Sequence, residues 1–388
     1  MALRSKKSIL FVRPDFHCSF FYCNEFRKQG WNADIFVQPG YPEKLLYSSS
    51  NVLRFPQFTF SQIFPVRVIN FFIFMIFWLK ILSKYKYHFY YGSSPVINSF
   101  ERLIKLDCLF GKGFSIEFFL AKLFRIKLLC VPTGCLEDDL KSTWQSFDNG
   151  NVCGNCGFHD RCSDDVNKIK FMRLRRYFDF FVGFGFKNSR EFKETHFKYK
   201  VIDLNLWNPN LKIPLKFRLS KTKKLRILHS NFLKNSGRDY KNRNIKGTPH
   251  ILAAVERLVR EGHPVEYLNI ENVDSKNMRF YQAQADIVVD QLIFGSWGST
   301  CVECLALGKP VVCYLRPSVK DFFLKNFPEY DSLPIVEADT KSIYHTLKKL
   351  VTDDEFRNQQ KIASREFAES HFDGTENTRD LIEHLQKI

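Results

Sequence analysis

Residues 286–314 have the sequence DIVVDQLIFGSWGSTCVECLALGKPVVCY, and this stretch decides the fold. A short apolar segment, 286–290, is followed by a glycine-bearing loop and then by residues 299–307, which suit a helix. Gly308 can end that helix, and a second apolar segment, 310–315, follows it. This order predicts a strand, a helix and a parallel strand, which is the repeating unit of a doubly wound α/β domain.

The same alternation extends along the chain in both directions from this unit, and it predicts two α/β domains. Two prolines and the basic run SKTKK, between Trp207 and Lys224, mark the boundary. We expect an N-terminal domain at 1–208 that includes a Cys-rich loop at 135–162, a C-terminal domain at 209–370 and a helical tail at 371–388 that packs back on the first domain. Strands are predicted at 8–12, 33–37, 87–91, 127–131, 178–185, 200–204, 226–230, 265–270, 286–290, 310–315 and 334–336, and a helix at 251–261 is expected to have Thr248 as its N-cap and Pro249 at its first position.

The loop before the helix at 299–307 has the properties of an anion-binding site. The first turn of a helix offers unbonded backbone amides and a partial positive charge, which suit a pyrophosphate. Gly298 lets a phosphate approach the backbone, and Ser299 and Thr300 add hydroxyl donors. Glu303 lies one turn further on the same face, where its carboxylate can accept hydrogen bonds from two ribose hydroxyls. The alternative is an ordinary crossover in which Glu303 is a solvated helix residue.

These residues also carry a resemblance to a known family. The pattern G-x-x-x-x-E-x-x-A-x-G-x-P-V-V at 298–312 resembles the nucleotide-sugar motif of glycosyltransferase group 1, or family 4. Lys246-Gly247 is similar to the family's Lys-Gly pair, and DLNLWNP at 203–209 resembles its interdomain segment. The strong match covers about residues 200–370. The resemblance implies the GT-B fold, in which two Rossmann-like doubly wound domains face each other across a cleft.

The resemblance implies a hexosyltransferase-like, retaining enzyme of polysaccharide or glycolipid synthesis. Such an enzyme moves a sugar from a nucleotide-sugar donor to a saccharide or lipid-linked acceptor and needs no divalent metal. By carry-over, Lys246 contacts the donor diphosphate and stabilises the departing nucleoside diphosphate, while Glu303 holds the ribose. His229, at the end of the first strand of the C-terminal domain, is a further catalytic candidate, with a structural role as the alternative.

The chain departs from the family pattern at one position. The family has a first glutamate eight residues before the second, and that position is Gly295 here. The departure leaves the catalytic acid open, and it favours an inactive glycosyltransferase-like binding protein as the alternative function. Asp290 and Glu271 are possible substitutes for the acid, and Arg238 or Arg243 could be the family's arginine partner to the lysine.

A polar, glycine-rich stretch at 151–162 has cysteines spaced C-x2-C-x5-C, with another cysteine upstream. Four thiolates at such spacing suit a structural Zn²⁺. Reduced thiols in a loop, or a disulfide in an oxidising compartment, are the alternatives. The expected ligands are Cys135, Cys153, Cys156 and Cys162, with His159 as the alternative fourth ligand.

The formal net charge of +17 restricts the classes of partner. A basic protein can bind nucleic acid, an anionic membrane surface or phosphorylated substrates. The sequence has no RNP motif, KH-type loop, paired Cys/His finger or long basic tail, so we expect no nucleic-acid partner. A basic zinc-containing nucleic-acid-binding protein is the less favoured alternative. The eleven cysteines are an odd number spread along the chain, and this favours the reducing cytoplasm.

The longest apolar run is VINFFIFMIFWL at 68–79, between Arg67 and Lys80. As a helix these residues span about 18 Å, which is short of a bilayer core of about 30 Å. The run is therefore expected to be either a buried helix of an α/β domain or a surface contact with an anionic membrane. The second alternative places a cytoplasmic protein at the inner face of the membrane.

Overall fold

A computed structural model of the chain describes residues 5–15, 17–38, 41–48, 50–55, 64–96, 110–132, 135, 140–146, 151–157, 162–183, 195–196, 200–230, 239–240, 243–270 and 273–387. The chain divides into two compact units. The first comprises Met1–Lys141, Ser163–Tyr199 and Thr375–Ile388, and the second comprises Ser142–Cys162 and Lys200–Gly374.

Short apolar strands alternate with helices along the described residues. The strands are β1 (Ser8–Val12), β2 (Asn32–Val37), β3 (Val52–Arg54), β4 (Tyr87–Tyr91), β5 (Lys127–Val131), β6 (Phe180–Val182), β7 (Thr195–His196), β8 (Leu225–His229), β9 (Asp239–Tyr240), β10 (Arg243–Asn244), β11 (Val265–Leu268), β12 (Ile287–Val289), β13 (Val311–Cys313) and β14 (Val336–Glu337). The α-helices are α1 (Cys18–Lys28), α2 (Phe64–Lys84), α3 (Ile116–Leu123), α4 (Lys141–Ser146), α5 (Asn151–Gly154), α6 (Asp164–Tyr177), α7 (Thr248–Arg260), α8 (Ser275–Gln282), α9 (Ser299–Ala306), α10 (Pro317–Asn326), α11 (Ile343–Thr352), α12 (Asp354–Phe372) and α13 (Gly374–Lys387).

The first unit is built on a parallel sheet in the order β3-β2-β1-β4-β5-β6-β7. The chain runs outward from β1 to β3 and then returns to the other side of β1 with β4, so the order reverses between β1 and β4. The C-terminal helix α13 belongs to this unit. The hydroxyl of Tyr87 donates to the carbonyl of Leu385 (2.9 Å), and the rings of Phe180 and His384 lie 4.6 Å apart.

Helix α2 is apolar on two opposite faces. Phe74 and Trp78 are buried and stack on each other with 5.6 Å between ring centroids. The opposite face leaves large apolar side chains 40–60% exposed: Ile69, Phe72, Ile73, Ile76 and Leu79. The helix therefore has the buried face expected of a core helix and also an exposed apolar face, and the membrane contact stays a prediction. No helix in the described part of the chain has the length and hydropathy of a membrane span.

The second unit is built on a parallel sheet in the order β11-β8-β12-β13-β14. From β8 the chain passes through α7 to β11 on one side, and then through α8 to β12 on the other side. The strand order therefore reverses between β8 and β12, where His229 lies beside Val289. Helix α9 follows β12 and leads into β13, as the sequence predicts.

Three features differ from the expectations. The segment 200–204 is not a strand, because Ile202 forms only an isolated bridge with Asp373. The N-cap of α7 is Gly247, in the left-handed conformation with φ +80°, and Thr248 is the first helical residue. Residues 142–162 cluster with the second unit, because Trp144 stacks on Phe294 with 5.1 Å between ring centroids.

Candidate functional site

The predicted site residues converge at the carboxyl ends of β8 and β12. His229 ends β8, and Asp290 follows β12 directly. The segment before α7 reaches the same point, because the amide of Leu292 donates to the carbonyl of Lys246 (3.0 Å). This is where the strand order of the second sheet reverses, and open α/β sheets bind ligands at such switch points.

Lys246 and Asp290 form a buried ion pair. The Nζ atom of Lys246 lies 3.6 Å from Oδ1 of Asp290 and donates to the carbonyl of Ser230 (2.8 Å). The two side chains are 7% and 1% exposed. The other carboxylate oxygen of Asp290 accepts a hydrogen bond from the amide of Gly298 (2.5 Å). Asp290 therefore joins the lysine to the loop that starts α9, a connection that the sequence did not indicate.

The start of α9 retains the character of an anion site. A Cβ atom at Gly298 would lie 3.0 Å from Oδ2 of Asp290, so glycine is needed for the close approach of that carboxylate. The first backbone hydrogen bond of the helix runs from Val302 to Gly298 (3.4 Å). Ser299 and Thr300 precede it and are partly exposed, so their amides and hydroxyls can face a ligand.

Glu303 is not a solvated helix residue. It is 7% exposed, and its Oε2 atom accepts a hydrogen bond from Nε2 of Gln282 on α8 (2.5 Å). Gln282 itself is fully buried. No local sequence pattern indicates this partner, which is 21 residues away in the chain. The amide fixes one carboxylate oxygen of Glu303, and the orientation of the carboxylate is thereby set.

His229 is held from both sides. Its Nδ1 atom lies 2.8 Å from the carbonyl of Val289, and its Nε2 atom lies 2.9 Å from the hydroxyl of Thr248. A carbonyl only accepts, so Nδ1 carries the proton. Nε2 then faces the hydroxyl of Thr248 as an acceptor, and that hydroxyl also lies 3.2 Å from Oδ1 of Asn244. Burial, and then the charge of Lys246, lower the pKa of His229 to about 4. The ring is therefore neutral near pH 7, with both nitrogens engaged.

The departure at Gly295 has a steric cause. Gly295 has φ +82°, and a Cβ atom there would lie 2.2 Å from Cγ of Arg316. The amide of Arg316 donates to the carbonyl of Gly295 (3.0 Å), and its guanidinium carbon lies 4.0 Å from the centroid of the Trp144 ring. A glutamate side chain cannot be built at position 295 without moving Arg316. A stacked cation thus occupies the space beside this position.

Several other candidates lie outside the described residues. These are Glu271, Arg238, His159 and the side chain of Arg243, so their predicted roles stay predictions. Among the described residues, no disulfide joins any of the ten cysteines, and no group of three or more His, Cys, Asp or Glu side chains is arranged to hold a metal ion. The described residues therefore give no support to the zinc site, which also stays a prediction. Its expected ligands are Cys135, Cys153, Cys156 and Cys162.

The fold is shared with proteins of known structure. No protein-family model and no curated protein matches the chain. A sucrose-phosphate synthase from Thermosynechococcus elongatus has a TM-score of 0.61 at 11% identity, over 98% of each chain. Anabaena Alr3699/HepE in complex with UDP and glucose gives 0.59 at 12% identity, over 98% of this chain and all of the other. A Neisseria meningitidis UDP-GlcNAc 2-epimerase bound to UDP-GlcNAc gives 0.57 at 12% identity with the same coverage. The predicted GT-B architecture of two Rossmann-like units is confirmed.

Proposed function

We propose that the chain is a glycosyltransferase that moves a sugar from a nucleotide-sugar donor to a saccharide or lipid-linked acceptor. The observation that carries this proposal is that Asp290 joins Lys246 to Gly298, the N-cap of α9, at the switch point of the second sheet. A buried cation and a helix N-terminus together suit a nucleoside diphosphate. The motif at 298–312 and the Lys246-Gly247 pair include these same residues, so the motif and the geometry support one site.

The neighbours in fold favour a uridine nucleotide. HepE was solved with UDP and glucose, and the epimerase with UDP-GlcNAc. Because the fold is common to a sucrose-phosphate synthase and an epimerase, it does not choose between sugar transfer and epimerisation. The motif at 298–312 and the Lys246-Gly247 pair favour transfer. The donor that we propose is therefore a UDP-sugar.

The diphosphate would lie against the amides and hydroxyls of Ser299 and Thr300. Negative charge grows on it as the bond to the sugar breaks, and the ammonium group of Lys246 would offset that charge. Such stabilisation requires a charge that is in place before the reaction begins. Asp290 and the carbonyl of Ser230 fix the charge of Lys246 in advance, because they hold its Nζ atom from two sides.

Glu303 would bind the ribose with its carboxylate, which Gln282 orients. A carboxylate that is already fixed loses little rotational freedom when it binds. His229 receives a positioning role in place of the catalytic role expected from the sequence. A neutral, buried ring with both nitrogens engaged cannot accept a substrate proton without breaking its bond to Thr248.

The test is product analysis with UDP-sugars in the presence and absence of saccharide acceptors. A transferase releases UDP and extends the acceptor, whereas an epimerase returns a UDP-sugar with inverted configuration. Replacing Lys246 by methionine should abolish UDP release, and the same change at Lys276, an exposed residue of α8, should not. Saturable UDP binding without turnover for any donor–acceptor pair would instead support the inactive, binding form of this fold.

We further propose that the exposed face of α2 contacts an anionic membrane, where a lipid-linked acceptor would be found. The five exposed apolar residues form one stripe, and Lys80 lies exposed beside them. A helix of this kind binds a bilayer surface reversibly, with help from cations. The strongly basic composition of the chain adds a general attraction to anionic lipid.

Sedimentation with anionic liposomes tests this contact. Wild-type protein should bind at low salt and be partly released as ionic strength rises. Replacing Phe72 and Ile76 by serine should weaken binding without unfolding the protein, because both side chains are exposed. Serine at Leu215 and Ile362, which are 79% and 61% exposed in the second unit, is the matched control. Unaltered binding by the folded Phe72/Ile76 variant would contradict the proposal.

A further inference from the structure

The first unit has a cavity of about 350 Å³ at the carboxyl edge of its sheet. This volume lies in the range of small-molecule sites. The cavity sits where the strand order reverses between β1 and β4, which is a switch point like that of the second sheet. Its walls include residues at or after the ends of β1, β2 and β4, together with one residue of α6: Arg13, Gln38, Tyr41, Tyr91, Ser94 and Lys170.

Arg13 adopts an uncommon backbone conformation at this cavity. Its φ is +60°, in the left-handed region, and it directly precedes Pro14, which restricts it further. Its amide donates to the carbonyl of Phe36 (3.1 Å), and its Nη1 donates to the carbonyl of Ser94 (2.9 Å). The side chain thereby reaches from the end of β1 to the loop after β4. Strained residues fixed by their surroundings concentrate at binding sites.

The charge on the described walls is positive. Arg13 and Lys170 are cations, and none of the described lining residues is acidic. Asp15 lies close in sequence but is not among the described lining residues, and its Oδ1 atom accepts from the amide and the hydroxyl of Ser19 (3.0 and 2.8 Å) in the first turn of α1. A guanidinium has several N–H donors, and the bond to Ser94 uses only one of them. A ligand can use the others.

We propose that this cavity binds a phosphoryl group carried by the acceptor substrate. A phosphate monoester has a charge of about −1.5 to −2 at pH 7. This charge matches the two cations, Arg13 and Lys170, better than the single negative charge of a carboxylate does. The hydroxyl of Ser94 and the side-chain amide of Gln38 supply additional hydrogen-bond donors in the walls. The assignment of this group to an acceptor rests on the proposed transferase function. The existence of the anion site does not.

The phosphoryl group can come from a soluble sugar phosphate or from a lipid headgroup. Helix α2 leads from β3 back to the start of β4, so its first turns lie at the same edge of the sheet as the cavity. The exposed Ile69 and Phe72 belong to that part of the helix. The shared chemistry is the phosphate monoester, and the two sources are separated by experiment.

The experiment is calorimetric titration of inorganic phosphate into protein saturated with UDP, which keeps the phosphate away from α9. We expect one phosphate site whose Kd rises about tenfold or more in Arg13→Gln and in Lys170→Gln. The control Lys168→Gln changes an exposed cation on the same helix as Lys170. The control Arg125→Gln changes an exposed arginine that also has a positive φ, of +53°. Both controls should leave the Kd within about twofold of wild type.

The outcomes separate this site from the proposed function. Phosphate binding that Arg13→Gln and Lys170→Gln leave unchanged would overturn the anion site, even if UDP binds. Tighter binding of glucuronate than of phosphate would overturn the phosphoryl assignment. If UDP does not bind, the titration is repeated in Lys246→Met, and binding that depends on Arg13 would keep the anion site while the transferase proposal fails. Lys170→Gln carries the test alone if Arg13→Gln does not fold.

Two further arms identify the source of the phosphoryl group. The first is glycerol 3-phosphate in solution, and the second is phosphatidic acid in phosphatidylcholine vesicles. Binding of glycerol 3-phosphate that Arg13→Gln weakens supports a soluble acceptor. Vesicle binding that both Arg13→Gln and the Phe72/Ile76 serine variant weaken supports a lipid acceptor. Failure of both ligands to bind would overturn the proposal.

Discussion

The buried pair of Lys246 and Asp290 gives the sharpest prediction. Replacing Lys246 by methionine keeps most of the side-chain volume but leaves the carboxylate of Asp290, only 1% exposed, without its cation. Replacing Asp290 by asparagine likewise leaves the buried ammonium group of Lys246 without its counter-charge. The double variant removes both charges, and asparagine can still accept the hydrogen bond from Gly298.

The magnitude follows from the distance between the charges. Nζ and Oδ1 are 3.6 Å apart. Two unit charges at that distance attract by about 4–5 kcal/mol at an effective dielectric constant of about 20, and breaking a buried pair typically costs about 3–5 kcal/mol. We therefore expect each single variant to lose about 3 kcal/mol or more of unfolding free energy, and the double variant to lose no more than either. The coupling should be at least about 2 kcal/mol.

Urea unfolding and turnover are measured on the same four proteins. The double variant should regain stability but not activity, because the charge that stabilises the departing diphosphate is missing. Lys276→Met, on the exposed face of α8, should change neither quantity. Unfolding energies that add within about 0.5 kcal/mol would refute the ion pair. Full turnover in a folded double variant would refute the catalytic role of Lys246.

The remaining predictions concern four separate features. Gly295→Ala should lower the unfolding free energy by about 2–4 kcal/mol, since an L-residue in the left-handed region costs about 1–2 kcal/mol and the guanidinium of Arg316 must leave its aromatic partner. In an Arg316→Ala background the loss should fall to about 1 kcal/mol. Equal losses in the two backgrounds in urea unfolding would contradict the steric explanation. Glu303→Ala should weaken UDP binding by about 1–3 kcal/mol in calorimetry, and an unchanged Kd would remove the ribose assignment. The pKa of His229 is about 4 in the folded chain, below its unfolded value of 6.5. The unfolded chain therefore binds more protons between these pH values, and the unfolding free energy should drop by up to about 3 kcal/mol as pH falls from 6.5 to 4. His229→Asn should flatten this dependence in urea unfolding across that range. Elemental analysis of chelator-washed protein should find one zinc per chain, and four titratable thiols without metal would exclude the predicted ligands Cys135, Cys153, Cys156 and Cys162.

The strands and the glycine-bearing turn were predictable because their signals are local. Short apolar runs bounded by polar residues place β1, β4 and β5 with the observed ends, and Gly308 ends α9 as expected. The segment at 200–204 has the same apolar composition but does not pair as a strand. Its backbone hydrogen bonds go instead to the two residues on either side of Asp373. Local composition could not show which partner the chain would reach.

The site was predictable as a set of residues but not as a set of contacts. The pattern at 298–312 identified the correct loop and helix. It did not show that Asp290 bonds to Gly298, that Gln282 holds Glu303, or that Arg316 fills the space beside Gly295. Two of these contacts join residues that are 21 positions apart, and the third joins the two ends of the loop between β12 and α9. Their geometry depends on the sheet order, which periodicity alone does not fix.

We propose above all that the second unit binds a nucleoside diphosphate between Lys246 and the start of α9. Isothermal titration of UDP into the full chain tests it most directly, with GDP, ADP and dTDP as competitors. We expect one saturable UDP site, weakened about tenfold or more by Glu303→Ala and by the Lys246→Met/Asp290→Asn pair, and unaffected by Lys276→Met. The absence of saturable binding for all four nucleotides, or UDP binding that none of these changes weakens, would contradict it.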